Sequence, residues 1–312
     1  MNFIDFHCDT IETLLNNPNN WSLSKNNLSV DIEKMKKGNS LAQFFALYIN
    51  QGETSNPLDT CLKMVDKFYL ELDSNKDSIA LATNYKDLTK NKQKGKISAF
   101  LAIEGGEAIT GSLYNLRNFY RLGVRLVTLT WNFPNEIGFP NCKDEYVYRG
   151  LTSFGHELVR EMNNLSMIID VSHLSDKGFY DVARLSKKPF IASHSNSRTI
   201  TNHPRNLTDE MIKILSQKGG VMGINFEKSF LGENIPAKVS DMVNHIKHIR
   251  NVGGIDVIAI GSDFDGVELP SEITNIGEID KLAFELTKNN FSEEEIEKIF
   301  HKNALRVIKD TL

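Results

Sequence analysis

Cysteine is scarce, with only Cys8, Cys61 and Cys142 in 312 residues. None has CxxC spacing, which argues against a thiolate zinc site and a disulfide framework. No stretch approaches the roughly 18 apolar residues that a membrane-spanning helix needs. The opening MNFIDFHCDT lacks a basic segment, a long apolar run and a small-residue cleavage site, so it does not read as a signal peptide. No basic block is present. The net charge is −4 with both signs interspersed, which argues against nucleic acid or an anionic membrane as partner. GxSxG, P-loop and GxGxxG motifs are missing, removing support for serine-hydrolase and nucleotide-dependent chemistry. These absences lead to the expectation of a reduced, cytoplasmic protein.

Apolar residues at 40% and charged residues at 24% are ordinary for a globular chain. The length admits two domains, or one α/β barrel of roughly 250 residues with insertions. Eight short apolar runs read as strands: Phe3–Cys8, Ala42–Ile49, Ser98–Ile103, Arg125–Thr130, Met167–Val171, Phe190–Ser193, Gly220–Asn225 and Val257–Gly261. Amphipathic stretches lie between them, including Leu58–Leu72, Tyr114–Leu122, Phe154–Asn163, Lys177–Leu185, Asp209–Gln217 and Val239–Asn251. This alternation predicts βαβ units and a parallel sheet covered on both faces. Two further helical segments follow the last strand. In the second, Ser292 and Glu295 form a capping box, with Phe291 stapled to Ile296. With no linker or repeat, the expected fold is a single (β/α)₈ TIM-like barrel over residues 1–312, with extra C-terminal helices. The loop Asn132–Leu151 is the longest strand-to-helix excursion and a candidate substrate loop.

Chemistry-bearing residues recur at strand ends. The first strand finishes in Asp5-Phe6-His7-Cys8-Asp9, and period-two alternation puts His7 and Asp9 on one face. Alone, an HxD pair describes a buried histidine bonded to an aspartate as well as a metal site. Other strands end in Glu104-Gly105-Gly106, in Asp170-Val171-Ser172-His173, in Ser193-His194 and in Ser262-Asp263. In a (β/α)₈ barrel these ends converge on one mouth, where the active site lies. Three imidazoles and two carboxylates exceed the needs of one zinc ion and suit two. His7 and Asp9 would hold one cation, His173 and His194 the other, with Glu104 bridging. Two such ions lower the pKa of bound water and polarise a carbonyl. Asp263 is then the proton-transfer carboxylate. Arg198 and Arg205, after the His194 strand, are candidates to clamp a substrate carboxylate or to form structural ion pairs.

DFHCDT, IEGG, IDVSH, PFIASHSNSR, HPRNLTDE and GSDFDG occur in that order. On these motifs the chain resembles the membrane (renal) dipeptidase family of zinc peptidases, within the amidohydrolase-like metal-dependent hydrolases. The resemblance spans nearly the whole length. It implies two Zn²⁺ per chain on His7, Asp9, Glu104, His173 and His194, with catalysis by Asp263 and Glu104. Arg205, in the family's Arg-Asn position, is the implied clamp on a dipeptide carboxylate. The implied reaction is dipeptide hydrolysis by a metal-bridging hydroxide, with C-terminal D-residues accepted and a homodimer as assembly. Where animal members carry a substrate-contacting histidine, this chain has Trp131; Trp131 and Asn132 are expected to line the pocket. Two other readings are a hydrolase of cyclic amides, lactones or phosphotriesters, and a non-catalytic barrel. The first often bridges its metals with a carbamylated lysine, and no lysine stands at a strand end here. His156, His245, His248 and His301 fall within helical patterns, as surface or packing residues, while His203 lies near the expected clamp.

Overall fold

Every one of the eight apolar runs overlaps a strand, and a ninth strand joins them. The computed structural model describes residues 1–18, 21–267 and 271–312. Its strands are β1 (Phe3–Cys8), β2 (Ser40–Tyr48), β3 (Ile79–Leu81), β4 (Ile97–Glu104), β5 (Val124–Thr128), β6 (Ile168–Asp170), β7 (Ile191–Ala192), β8 (Val221–Ile224) and β9 (Ile258–Ile260). All pairings are parallel, and β2 pairs with β4 from Ala42–Ser98 to Tyr48–Glu104, which closes the sheet. The closed ring runs β1, β2, β4, β5, β6, β7, β8, β9 and back to β1. It is an eight-stranded parallel barrel wrapped in helices, as expected. The unexpected β3 lies outside the ring, along the first residues of β4, before β5 takes over that edge at Leu101. Three residues are too few for periodicity to declare a strand.

Side chains from all eight barrel strands fill the interior, among them Ile4, Phe6, Phe44, Phe100, Leu126, Ile168, Ile191, Val221 and Ala259. Phe44 stacks on Phe100 at 4.6 Å and meets Phe6 at 4.9 Å. Ala304, Val307 and Ile308 of the last helix, Asn303–Thr311, join this cluster and close one end of the barrel. Asn303 anchors that helix by donating to the carbonyls of Ile255 and Ile258, both at 2.8 Å. The other end, where the strands finish, is left for the loops.

Several helices begin where the sequence offers a hydroxyl. Thr152, Ser175 and Thr208 each accept from a backbone N–H three residues on, opening Ser153–Leu165, Asp176–Leu185 and Asp209–Gln217. The Ser292–Glu295 capping box is present in both directions. No described helix is long and apolar enough to cross a membrane.

Candidate metal centre and active site

β1 delivers the first two donors through an irregularity. Asp5 pairs with Gln43 and Cys8 with Phe45, so β1 carries one residue more than β2 between these points. Such a bulge interrupts simple alternation and re-aims side chains. Asp9 lies just past the strand, at the N-cap of the helix Thr10–Asn16. Both His7 and Asp9 reach the cluster, with His7 Nε2 3.4 Å from Asp9 Oδ2. The buried Asp5 supports this end: it accepts from Ser262 N–H at 2.8 Å, Ser262 O–H at 2.6 Å and Gln43 Nε2 at 3.0 Å.

Glu104, the last residue of β4, stands in the middle. One oxygen is 3.2 Å from His7 Nε2; the other is 3.0 Å from His173 Nε2 and 3.4 Å from His194 Nε2. The His173 and His194 Nε2 atoms face each other at 3.0 Å. Asp170 positions both strand ends that supply them. It accepts from the N–H of Ser172 (3.0 Å) and Ser193 (2.8 Å), and from the hydroxyls of Thr128 and Ser193 (both 2.6 Å). The second nitrogens are oriented too: His194 Nδ1 meets Ser193 Oγ at 2.7 Å, and His173 Nδ1 meets Asn132 Oδ1 at 3.1 Å.

Asp263 completes the ring, 3.7 Å from His7 Nε2, with its other oxygen accepting from Asn225 Nδ2 at 2.8 Å. His173, Asp263 and Asp265 all hold positive φ, at 68°, 63° and 68°. Left-handed backbone at non-glycine residues is costly and gathers at sites that the surrounding fold over-determines. Gly266 is required beside them, because a Cβ there would lie 2.0 Å from Asp9 Oδ2.

The electrostatics follow from burial and crowding. Burial alone would raise Glu104, but His7 and hydrogen bonds from His173 and His194 hold it well below the usual carboxylate range. Burial, with Arg205, pushes His173 down to about 4; burial, with His7, sends His194 well below the ordinary imidazole value. Burial lifts Asp9 to about 8 and Asp263 to about 6. Although burial works to lower it, the charges of Glu104 and Asp9 hold His7 well above the ordinary imidazole value. Neutral His173 and His194 beside an ionised Glu104 are forms that bind divalent cations, and a cation would take the place of the His7 proton. His7 Nδ1, His7 Nε2 and Asp9 Oδ1 are buried without a hydrogen-bond partner. Three triads keep their donor atoms within 4.8 Å of one another: His7, Asp9 and Glu104; Glu104, His173 and His194; His7, His194 and Asp263. This nitrogen and carboxylate set fits more than one divalent ion.

A cavity of about 430 Å³ opens over the cluster, lined by Asp9, Glu104, His173 and Asp263, and by Arg205, Trp131 and Asn132. Arg205 is 4% exposed; its Nη2 donates to the His194 carbonyl at 3.2 Å, while Nε and Nη1 have no partner. Arg198 is engaged elsewhere, in a two-pronged pair with Asp176 at 2.7 and 2.8 Å. Hence, of the two arginines that the residues alone left open, Arg205 offers free donors to the cavity and Arg198 does not. His203 accepts from Arg205 N–H at 3.2 Å and packs on Phe230.

The 132–151 loop contributes less than its length suggests. Its first residue, Asn132, lines the cavity, but beyond it the chain turns back onto the barrel, with Asn141 N–H on the His173 carbonyl at 2.7 Å and Ser175 N–H on the Phe139 carbonyl at 2.9 Å. Among the remaining histidines, His245 is fully buried and His248 pairs with Asp209 at 2.7 Å. Sequence reasoning missed Tyr48, Glu12, Asn225, Glu227, Ser229 and Phe230. Apart from Asn225, which holds Asp263, these line the cavity. The signal was available: Tyr48 ends β2, and Asn225 to Phe230 follow β8, the same strand-end rule applied to two barrel strands whose ends carry no metal-type triad.

A parallel barrel whose strand ends gather imidazoles and carboxylates, with the Arg205 guanidinium in the same cavity, defines the class of metal-dependent hydrolases. The match to a family model, membrane dipeptidase (Peptidase family M19), runs over residues 1–312, and the chain belongs to that family of metallopeptidases. It is 32% identical to an uncharacterized dipeptidase of Schizosaccharomyces pombe, across 90% of this chain and 72% of that one. An uncharacterized protein of Klebsiella pneumoniae is 35% identical across 70% of this chain and 84% of its own length. A metallopeptidase from Rhodobacter sphaeroides, solved with a phosphinate mimic of the dipeptide L-Ala-D-Ala, superposes with a TM-score of 0.93 at 27% identity, covering 100% of this chain and 99% of that one.

Proposed function

We propose that this chain is a dinuclear zinc dipeptidase that hydrolyses the peptide bond of dipeptides, including those with a C-terminal D-residue. The observation that carries the reading is the convergence of His7, Asp9, His173 and His194 on Glu104 beneath a cavity that also holds Arg205, two of whose nitrogens have no partner. The dipeptide mimic bound by the R. sphaeroides relative supports the substrate class. His7 and Asp9 would hold one cation, His173 and His194 the second, and Glu104 both. Bound there, two divalent cations lower the pKa of water and polarise a carbonyl.

The chain's own residues do the rest. Arg205 presents Nε and Nη1 to the substrate's terminal carboxylate, neutralising and orienting it. Asp263, held by Asn225, takes the proton of the attacking water and delivers it to the leaving amine. Trp131 and Phe230 narrow the cavity and keep bulk water from the reacting bond. Among the described residues no lysine lines the cavity, which disfavours the carbamylated-lysine hydrolases of cyclic amides, lactones and phosphotriesters.

The test is metal content and dipeptide turnover for the wild type and Glu104→Ala. The expected outcome is about two zinc ions per chain and turnover in the wild type, with both lost in the variant. A metal-loaded wild type that cleaves no member of a dipeptide panel would overturn the assignment. A chain that folds normally without retaining metal would point to a non-catalytic barrel.

A further inference from the structure

We propose that the cavity carries a cation-selecting pole, formed by Glu12 with the exposed Glu53 nearby and walled by Tyr48 and Trp131, which favours dipeptides with an N-terminal lysine or arginine. The inference rests on the dipeptidase reading and deepens it.

The topology sets the direction of the substrate. Arg205 follows β7, and in the closed ring β2 stands four strands from β7 either way, directly across the mouth. With the terminal carboxylate on Arg205 and the scissile bond over Glu104, the N-terminal residue extends toward the ends of β1, β2 and β5. There the cavity is lined by Glu12, just after β1, by Tyr48, the last residue of β2, and by Trp131, just after β5.

Two features of this side suit a long cationic side chain. The rings form a continuous wall: Tyr48 meets Trp131 edge-on at 4.9 Å, and Trp131 meets Phe133 at 5.9 Å. Such rings cover the aliphatic stem of Lys or Arg and attract its charged head. The carboxylates supply the counter-charge. Glu12 is partly buried and makes no hydrogen bond or ion pair with the described residues, and its pKa is raised by burial and by the charges of Glu53 and Glu104. Glu53 is exposed and held by Asn50 Nδ2 at 2.8 Å. Two uncompensated carboxylates are relieved by a cation set between them. An acidic rim alone would signify little. Here it shares its cavity with the nine-tenths-buried, unpaired guanidinium of Arg205, so the cavity has a cationic and an anionic pole, matching the charges of a basic dipeptide.

The experiment compares kcat/KM for Lys-Ala, Ala-Ala and Glu-Ala in the zinc-loaded wild type, Glu12→Gln and Glu12→Lys. The wild type should prefer Lys-Ala over Glu-Ala at least tenfold. The ratio should fall at least fivefold in Glu12→Gln and invert in Glu12→Lys. Equal losses on all three substrates would overturn the proposal and assign Glu12 to the α-ammonium group that they share. A wild-type ratio near one would overturn it outright. If the Glu12 variants do not fold, Glu53→Gln and the wild type in 0.02 and 0.5 M salt provide the reading. The ratio must fall in both cases, since an ionic preference near the rim is screened, and a constant ratio rejects the pole. Failure of all three substrates would instead reject the dipeptidase reading.

Discussion

Arg205 and Arg198 stand seven positions apart in the same polar segment, yet one is unpaired in the cavity and the other is fixed to Asp176. Arg205→Lys should therefore raise KM for dipeptides by about 10–100-fold, because an ammonium cannot reproduce the two-pronged fork. Steady-state kinetics on Ala-Ala measures this, and an unchanged KM would remove Arg205 from carboxylate binding. Asp263 poses a different question, since its oxygen lies close enough to His7 and His194 to act as a ligand. As a proton carrier, Asp263→Asn should lower kcat by roughly 10²–10⁴-fold while both metals stay bound. Loss of metal in that variant would make it a ligand instead. Of the residues around the centre, His7, Asp9, Glu104, His173, His194 and Asp263 were legible from their strand-end positions. Asp5 and Asp170 were not recognised as supports, because a lone buried aspartate in an apolar strand does not reveal which neighbouring loop it will hold.

At the level of elements, the segment from His194 to Leu207 carries Arg205 and is held in place partly by His245 of the helix Val239–Gly253. His245 Nδ1 accepts from Ser197 N–H at 3.0 Å, and Nε2 meets the Leu231 carbonyl at 3.1 Å, so the neutral ring satisfies both. Burial depresses its pKa from 6.5 to about 4. Between these values the unfolded chain binds a proton that the folded chain refuses. The contribution is thus fully present above pH 6.5, declines as the pH falls, and is gone below about 4. Urea unfolding at pH 7, 5.5 and 4.5 should show the wild type losing about 2 kcal/mol more than His245→Gln over this range. Parallel losses would dissociate His245 from acid sensitivity. Helical periodicity indicated this helix, but not that one of its histidines faces a loop from another part of the chain. In the same way, β3 and the bulge in β1 escaped notice: one is too short for a pattern, and the other is defined only against its partner strand.

For the whole molecule, the five donors come from the ends of β1, β4, β6 and β7, so cations bound among them tie distant parts of the barrel together. Chelation should lower Tm by roughly 5–10 °C, and added zinc should restore it, since a ligand bound only to the folded state stabilises it by mass action. An unchanged melting curve would mean that the barrel's interior and its C-terminal helix suffice on their own. The sequence by itself determined the alternation of strands and helices, and with it the barrel, because hydrophobic period and capping are local properties. It also placed the donor residues at strand ends, since each motif lies within a few positions of its apolar run. Only the tertiary structure decided which arginine is free and which loops face Arg205 across the mouth. Those outcomes depend on closing the ring between β2 and β4, a contact between segments more than fifty residues apart that no local pattern encodes.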